Sequence, residues 1–99
     1  MAELRFKTPD EIQAELGTRI RNLRLRKGLT QEGVASRADI SSRALRSLEV
    51  GGGSSLLTLV KVLKALDALD GLEAFAPKPT VSPMAMLAGN ASPKRGKRS

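Results

Sequence analysis

The 99 residues include no cysteine, no histidine, no tryptophan and no tyrosine, and only two phenylalanines. Without cysteine there is no disulfide framework, and without cysteine and histidine there is no zinc site of the usual kind. The missing histidine also removes the side chain most often used for proton transfer near neutral pH. No spacing sets a nucleophile beside a base, and no glycine loop has the form that cradles nucleotide phosphates. The chain therefore reads as a non-enzyme with no cofactor and no metal. Two phenylalanines are too few for the aromatic platforms on which RNA and single strands usually stack. No apolar run approaches the ~20 residues of a bilayer crossing, and the first residues carry no signal-like apolar stretch. The expectation is a soluble cytoplasmic protein without membrane contact.

Basic residues outnumber acidic ones by 17 to 10, a net charge of +7. That sign favours a polyanion as partner, most commonly nucleic acid. Many small proteins are basic for solubility alone, so the placement of the charge is more telling. Residues 1–18 hold two basic and four acidic side chains. From Arg19 to Arg46 there are eight basic residues (Arg19, Arg21, Arg24, Arg26, Lys27, Arg37, Arg43 and Arg46) against two acidic ones. Residues 47–90 are close to neutral, and Lys94, Arg95, Lys97 and Arg98 close the chain. Nearly all the excess sits in one central segment and one tail.

Local signals divide the chain into helices. Thr8-Pro9-Asp10-Glu11 combines a capping hydroxyl, a proline suited to the first helical position and the glutamate of a capping box. Ile12, Leu16, Ile20 and Leu23 then recur as one apolar face, ending at Gly28 after Arg26-Lys27. Gly17 within that stretch marks either a break or a close packing contact. Thr30 caps a short helix through Arg37, with Val34 and Ala35 inward. Ala38-Asp39-Ile40 makes a tight turn, Ser41 caps a third helix that buries Leu45 and Leu48, and Gly51-Gly52-Gly53 ends it. Ser54 or Ser55 caps a fourth helix with Leu56, Leu59, Val60, Leu63 and Leu66 as its apolar stripe and Lys61, Lys64 and Asp67 outside. A weak fifth helix lies near Leu69 to Phe75, before Pro77 and Pro79. The fold class is all-α: a compact four- to five-helix domain with a disordered basic C-terminal tail. Its parts are an N-terminal arm (1–7), the helical domain (8–76), an extension suited to a dimer or partner contact (77–88, including Met84, Met86 and Leu87) and the tail (89–99). One domain of this size buries only a modest core, which suits a partner chain.

Two short helices joined by a tight turn, between Thr30 and Glu49, form a helix-turn-helix with a basic outer face. The run Leu29-Thr30-Gln31-Glu32, Val34-Ala35, Ile40-Ser41, Leu45, Leu48-Glu49 and Gly51 closely resembles the Xre/Cro family of lambda-repressor-like regulators. The resemblance covers roughly Leu16 to Leu66. It departs from the family pattern at Asp39, where the turn usually has glycine, and at Gly33, inside the second helix. The family implies a repressor that binds a double-stranded DNA operator as a homodimer. It places Gln31 against phosphate while bracing the recognition helix, Ser42, Arg43 and Arg46 toward bases, and Ser41 and Ser47 nearer the phosphates. It makes Arg24 and Glu49 a structural ion pair between the first and third helices.

The chemistry of the arginines points the same way, since residues three apart share a helical face and an arginine fork matches O6 and N7 of guanine. The competing reading is that Arg43 and Arg46 touch only phosphates. Arg19, Arg21, Arg26 and Lys27 read first as a solvated helix face and second as flanking-phosphate contacts. The tail is either an arm adding phosphate contacts or a solvated end. The Gly-Ser-Ser-Leu-Leu-Thr-Leu lead into the fourth helix, with the compact domain and short tail, also resembles HipB-type antitoxins. That resemblance implies a HipA-type kinase toxin as partner and autoregulation of the operon, which is compatible with DNA binding.

Overall fold

In the computed structural model, residues 3–75 and 78–79 are described. After a single 3-10 turn at Leu4–Phe6, five helices follow: α1 Pro9–Arg26, α2 Gln31–Ala38, α3 Ser42–Glu49, α4 Leu56–Ala65 and α5 Asp70–Phe75. The described residues contain no strand. The extension expected over 77–88, apart from residues 78–79, and the tail expected over 89–99 lie outside them.

Each of the four longer helices starts on a hydroxyl. The Thr8 side chain accepts from the Glu11 amide at 3.2 Å while the Glu11 carboxylate accepts from the Thr8 amide at 2.9 Å. Thr30 accepts from Gly33 at 2.9 Å, Ser41 from Ala44 at 3.0 Å, and Ser55, not Ser54, from Thr58 at 3.0 Å. Each bond satisfies an amide that the helix leaves without a partner. The same helices also end alike. The chain turns left-handed at Gly28, Asp39, Gly51 and Asp67, and the amide of the following residue reaches back to the carbonyl of Arg24, Ala35, Ser47 or Leu63. This is the Schellman closure. At two of its four occurrences an aspartate occupies a conformation that favours glycine.

The core comprises Ile20 of α1, Val34, Ala35 and Ala38 of α2, Leu45 and Leu48 of α3, and Val62, Ala65 and Leu66 in and after α4. Leu23, Leu29, Ile40, Leu59 and Ala68 close its edges. α2 packs on both α3 and α4, and α1 lies across α3. Two sequence expectations are corrected. Of the stripe expected on the fourth helix, Leu66 is buried and Leu59 packs at the core edge, but Leu56 is 71% exposed and the buried side chains within α4 are Val62 and Ala65. The α4 sequence LLTLVKVLKA is apolar almost all round, so its periodicity does not select a face. On α1 only the second half enters the core. Ile12 is half-buried, Leu16 is 40% exposed, and both line an open apolar groove with Pro9, Leu48 and Leu59.

α1 passes through Gly17 without a break. A Cβ at this position would collide with the Leu48 carbonyl oxygen and stand 2.9 Å from that of Glu49. The glycine lets the backbones of α1 and α3 come together. Nearby, the Gln13 amide donates to the Gly51 carbonyl at 2.8 Å, fixing the loop after α3 to α1.

Candidate nucleic-acid interface

The turn between α2 and α3 is closed by the left-handed Asp39 (φ 60, ψ 48), and Ile40 drops back against the core. α3 then starts at once on its Ser41 cap. Leu45, Leu48 and Glu49 define its buried side. At 100° per residue the opposite side is Arg43, Arg46, Ser47 and Val50. Arg43, Arg46 and Val50 are exposed and Ser47 is half-buried. Ser42 stands half-buried on the flank, and Ser41 is exposed with its oxygen already accepting the Ala44 amide. Among the described residues no carboxylate pairs with Arg43 or Arg46.

The orientation of this helix is held from beneath. Arg24 of α1 donates from Nε to Glu49 Oε2 at 2.7 Å and from Nη2 to Oε1 at 3.0 Å, a two-pronged bond between side chains almost sealed from solvent. Its Nη1 donates to the Leu29 carbonyl at 2.9 Å, just before α2. Gln31, the first residue of α2, donates from Nε2 to Glu49 Oε1 at 3.0 Å. One carboxylate on α3 thus collects donors from both preceding helices. Burial alone would raise the Glu49 carboxyl. The hydrogen bonds from Arg24 and Gln31, with the charges of Arg24 and Arg21, outweigh it and hold the group below its ordinary value. The bond to Glu49 raises the Arg24 guanidinium in turn, against the opposing effect of its burial.

The central basic segment therefore divides by role. Arg24 is internal, Arg19 is paired with Glu15 at 2.9 Å, and Arg37 leans on the Ala65 carbonyl at 3.3 Å. Arg21, Arg26, Lys27, Arg43 and Arg46 remain as exposed cations. Sequence reasoning did not single out Val50 on the outer face, and it had Gln31 bracing the recognition helix without naming Glu49 as the partner. The spacing of 43, 46–47 and 50 could have revealed the first. No local signal marks the second.

A short, narrow helix with arginines outward, clamped at a tight turn to a supporting helix, is the architecture of a helix-turn-helix DNA-binding domain. Residues 20–71, just over half of the chain, match the model of the helix-turn-helix family. The chain belongs to that family, in its Xre, lambda-repressor-like branch, and is a DNA-binding helix-turn-helix regulator. A search of curated proteins finds no match. Among the described residues no helix is long and apolar enough to cross a membrane, and no acidic cluster could hold a metal ion.

Proposed function

We propose that the chain is a sequence-specific repressor that binds an operator in double-stranded DNA as a homodimer, working in the cytoplasm on the nucleoid. In this reading α3 lies in the major groove, which is about 12 Å wide. Arg43 and Arg46 donate to guanines, Ser42 reaches a neighbouring base edge, and Ser41, Ser47 and the amide end of α2 at Gln31 meet phosphates. The observation that carries this reading is the pair of unpartnered arginines, three residues apart on the outward side of a helix immobilised through Glu49. Enrichment of oligonucleotides from a random pool tests it. The expected product is a palindrome with guanine in each half-site and half-sites about one helical turn apart; a pool that stays random overturns the reading.

The homodimer is supported by exposed apolar side chains, Leu56 and Leu57 on α4, Leu69 just before α5 and Phe75 at its end. Sedimentation at micromolar concentration should give twice the chain mass, and a persistent monomer overturns the two-fold arrangement. The same exposed leucines, in the Gly53–Leu59 lead into α4, favour a second reading in which a HipA-type kinase toxin docks there and the complex regulates its own operon. Co-purification of a kinase encoded beside this chain, lost in Leu56→Asp, tests that reading.

A further inference from the structure

We infer that the apolar groove beside α1 is the docking site of this chain's own residues 81–87, Val-Ser-Pro-Met-Ala-Met-Leu. α1 packs on α3 and α4 mainly on α2, which leaves a cleft between α1 and α4. The cleft holds about 360 Å³ and is lined by Pro9, Ile12, Leu16 and Ile20, with Leu48 and Leu59. Pro9, Ile12 and Leu16 share one face of the first half of α1, and Leu16 is 40% exposed. An apolar cavity of about 150 Å³ accommodates a benzene-sized group, so this groove has room for two apolar side chains. Covering such a surface is favourable, and its exposure marks a contact site.

Residues 81–87 are the most apolar stretch outside the five helices. They are also within reach. The nine residues from Phe75 to Met84 span up to about 30 Å. α4 and α5 are only about 15 and 9 Å long, so the chain can run back along α4 to Leu59. Methionine is unbranched and fills irregular gaps, and the segment offers Met84 and Met86 beside Leu87. Charge matches as well. Asp10 and Glu11, in the first turn of α1, are exposed and pair with no cation among the described residues. The cations Lys94, Arg95, Lys97 and Arg98 follow the apolar segment. A tethered segment acts at an effective concentration of about millimolar, so it takes the groove ahead of a second copy at micromolar concentration. Because Leu48 belongs to α3, the docked segment braces the candidate recognition helix from behind.

The full chain contains no cysteine, so introduced pairs report contact without background. Leu16→Cys is combined in turn with Met84→Cys, Met86→Cys and Leu87→Cys. Disulfide closure at micromolar concentration, with oxidised glutathione as oxidant, is followed by mass spectrometry. Leu25→Cys serves as the reference, being 48% exposed and nine residues further along α1 on its opposite face. At least one of the three partners should close within a single chain about tenfold faster with Leu16→Cys than with Leu25→Cys, since the bond needs close Cα atoms. Equal rates with the two overturn the assignment. Disulfides joining two chains give the groove to a second copy and overturn it too. In the otherwise unchanged full chain, Met84→Asp with Met86→Asp should raise the unfolding constant about tenfold or more, the effect of withdrawing one buried apolar side chain. An unchanged urea midpoint would mean that the groove stays open.

Discussion

Gly17 and Leu48 meet where α1 crosses α3, and a single added carbon on the glycine would drive into the Leu48 carbonyl oxygen. The obstacle is main chain on both sides, so no rotamer change relieves it. α3 carries the outward arginines, and this contact sets how close α1 lies behind it. The spacing of α1 and α3 and the aim of the candidate recognition face are therefore one geometric quantity.

Gly17→Ala should destabilise the protein by about 1–3 kcal/mol, the usual penalty for overpacking. Alanine's better helix propensity, about 1 kcal/mol, offsets only part of this. Urea unfolding followed by circular dichroism measures it, and an unchanged midpoint would contradict the close approach.

The buried pair beneath α3 makes a second prediction. Removing one partner, as in Glu49→Gln, leaves the Arg24 charge sealed without compensation and should cost about 3–5 kcal/mol. The double replacement Arg24→Met with Glu49→Leu should cost far less, because no charge is left buried. A thermodynamic cycle over Arg24→Met, Glu49→Leu and their combination reads the coupling.

Glu49 also sets a pH dependence. Its folded carboxyl lies below its ordinary value of 4.5. The unfolded chain therefore takes up the proton first as the solution is acidified. The contribution of Glu49 to stability is complete above that ordinary value and is lost as pH falls through the lower folded one. Denaturation midpoints measured from pH 7 down to pH 3 should show this decline in the wild type and a shallower one in Glu49→Gln.

Asp39 and Asp67 hold left-handed backbone at φ 60 and φ 56. Glycine adopts that region without the Cβ conflict, although it also gives the unfolded chain more freedom. Asp39→Gly and Asp67→Gly should each stabilise by up to about 1 kcal/mol, visible as a higher melting temperature. Destabilisation in either would show that the carboxylate does something at the turn beyond occupying it.

On the selected operator, Arg43→Ala should lose roughly 1–3 kcal/mol and relax the preference at one base pair. An equal loss on operator and on random DNA would reassign Arg43 to phosphate. Competition titrations of operator against random DNA separate the two outcomes, and repeating them across a salt series shows whether a phosphate contact has been lost.

The helices of this protein can be read from neighbouring letters because their boundaries are local chemistry. Thr8, Thr30 and Ser41 each cap an amide three residues ahead, a distance over which composition alone decides the hydrogen bond. The turn around Asp39 and the outward placement of Arg43 and Arg46 follow from the same short-range rules and the 3.6-residue repeat. Ser55 was only half legible, since two serines in a row offer the same hydroxyl. Other features depended on residues far along the chain. Whether Gly17 broke α1 or packed closely was settled by a carbonyl 31 positions away, and the α4 face by which side α2 came to cover. The family resemblance implied that Gln31 braces the recognition helix, but no local signal marks the carboxylate eighteen residues on to which it donates. Capping and periodicity act within a turn or two, whereas backbone approach, face selection and buried charge pairing exist only once distant segments have been brought together.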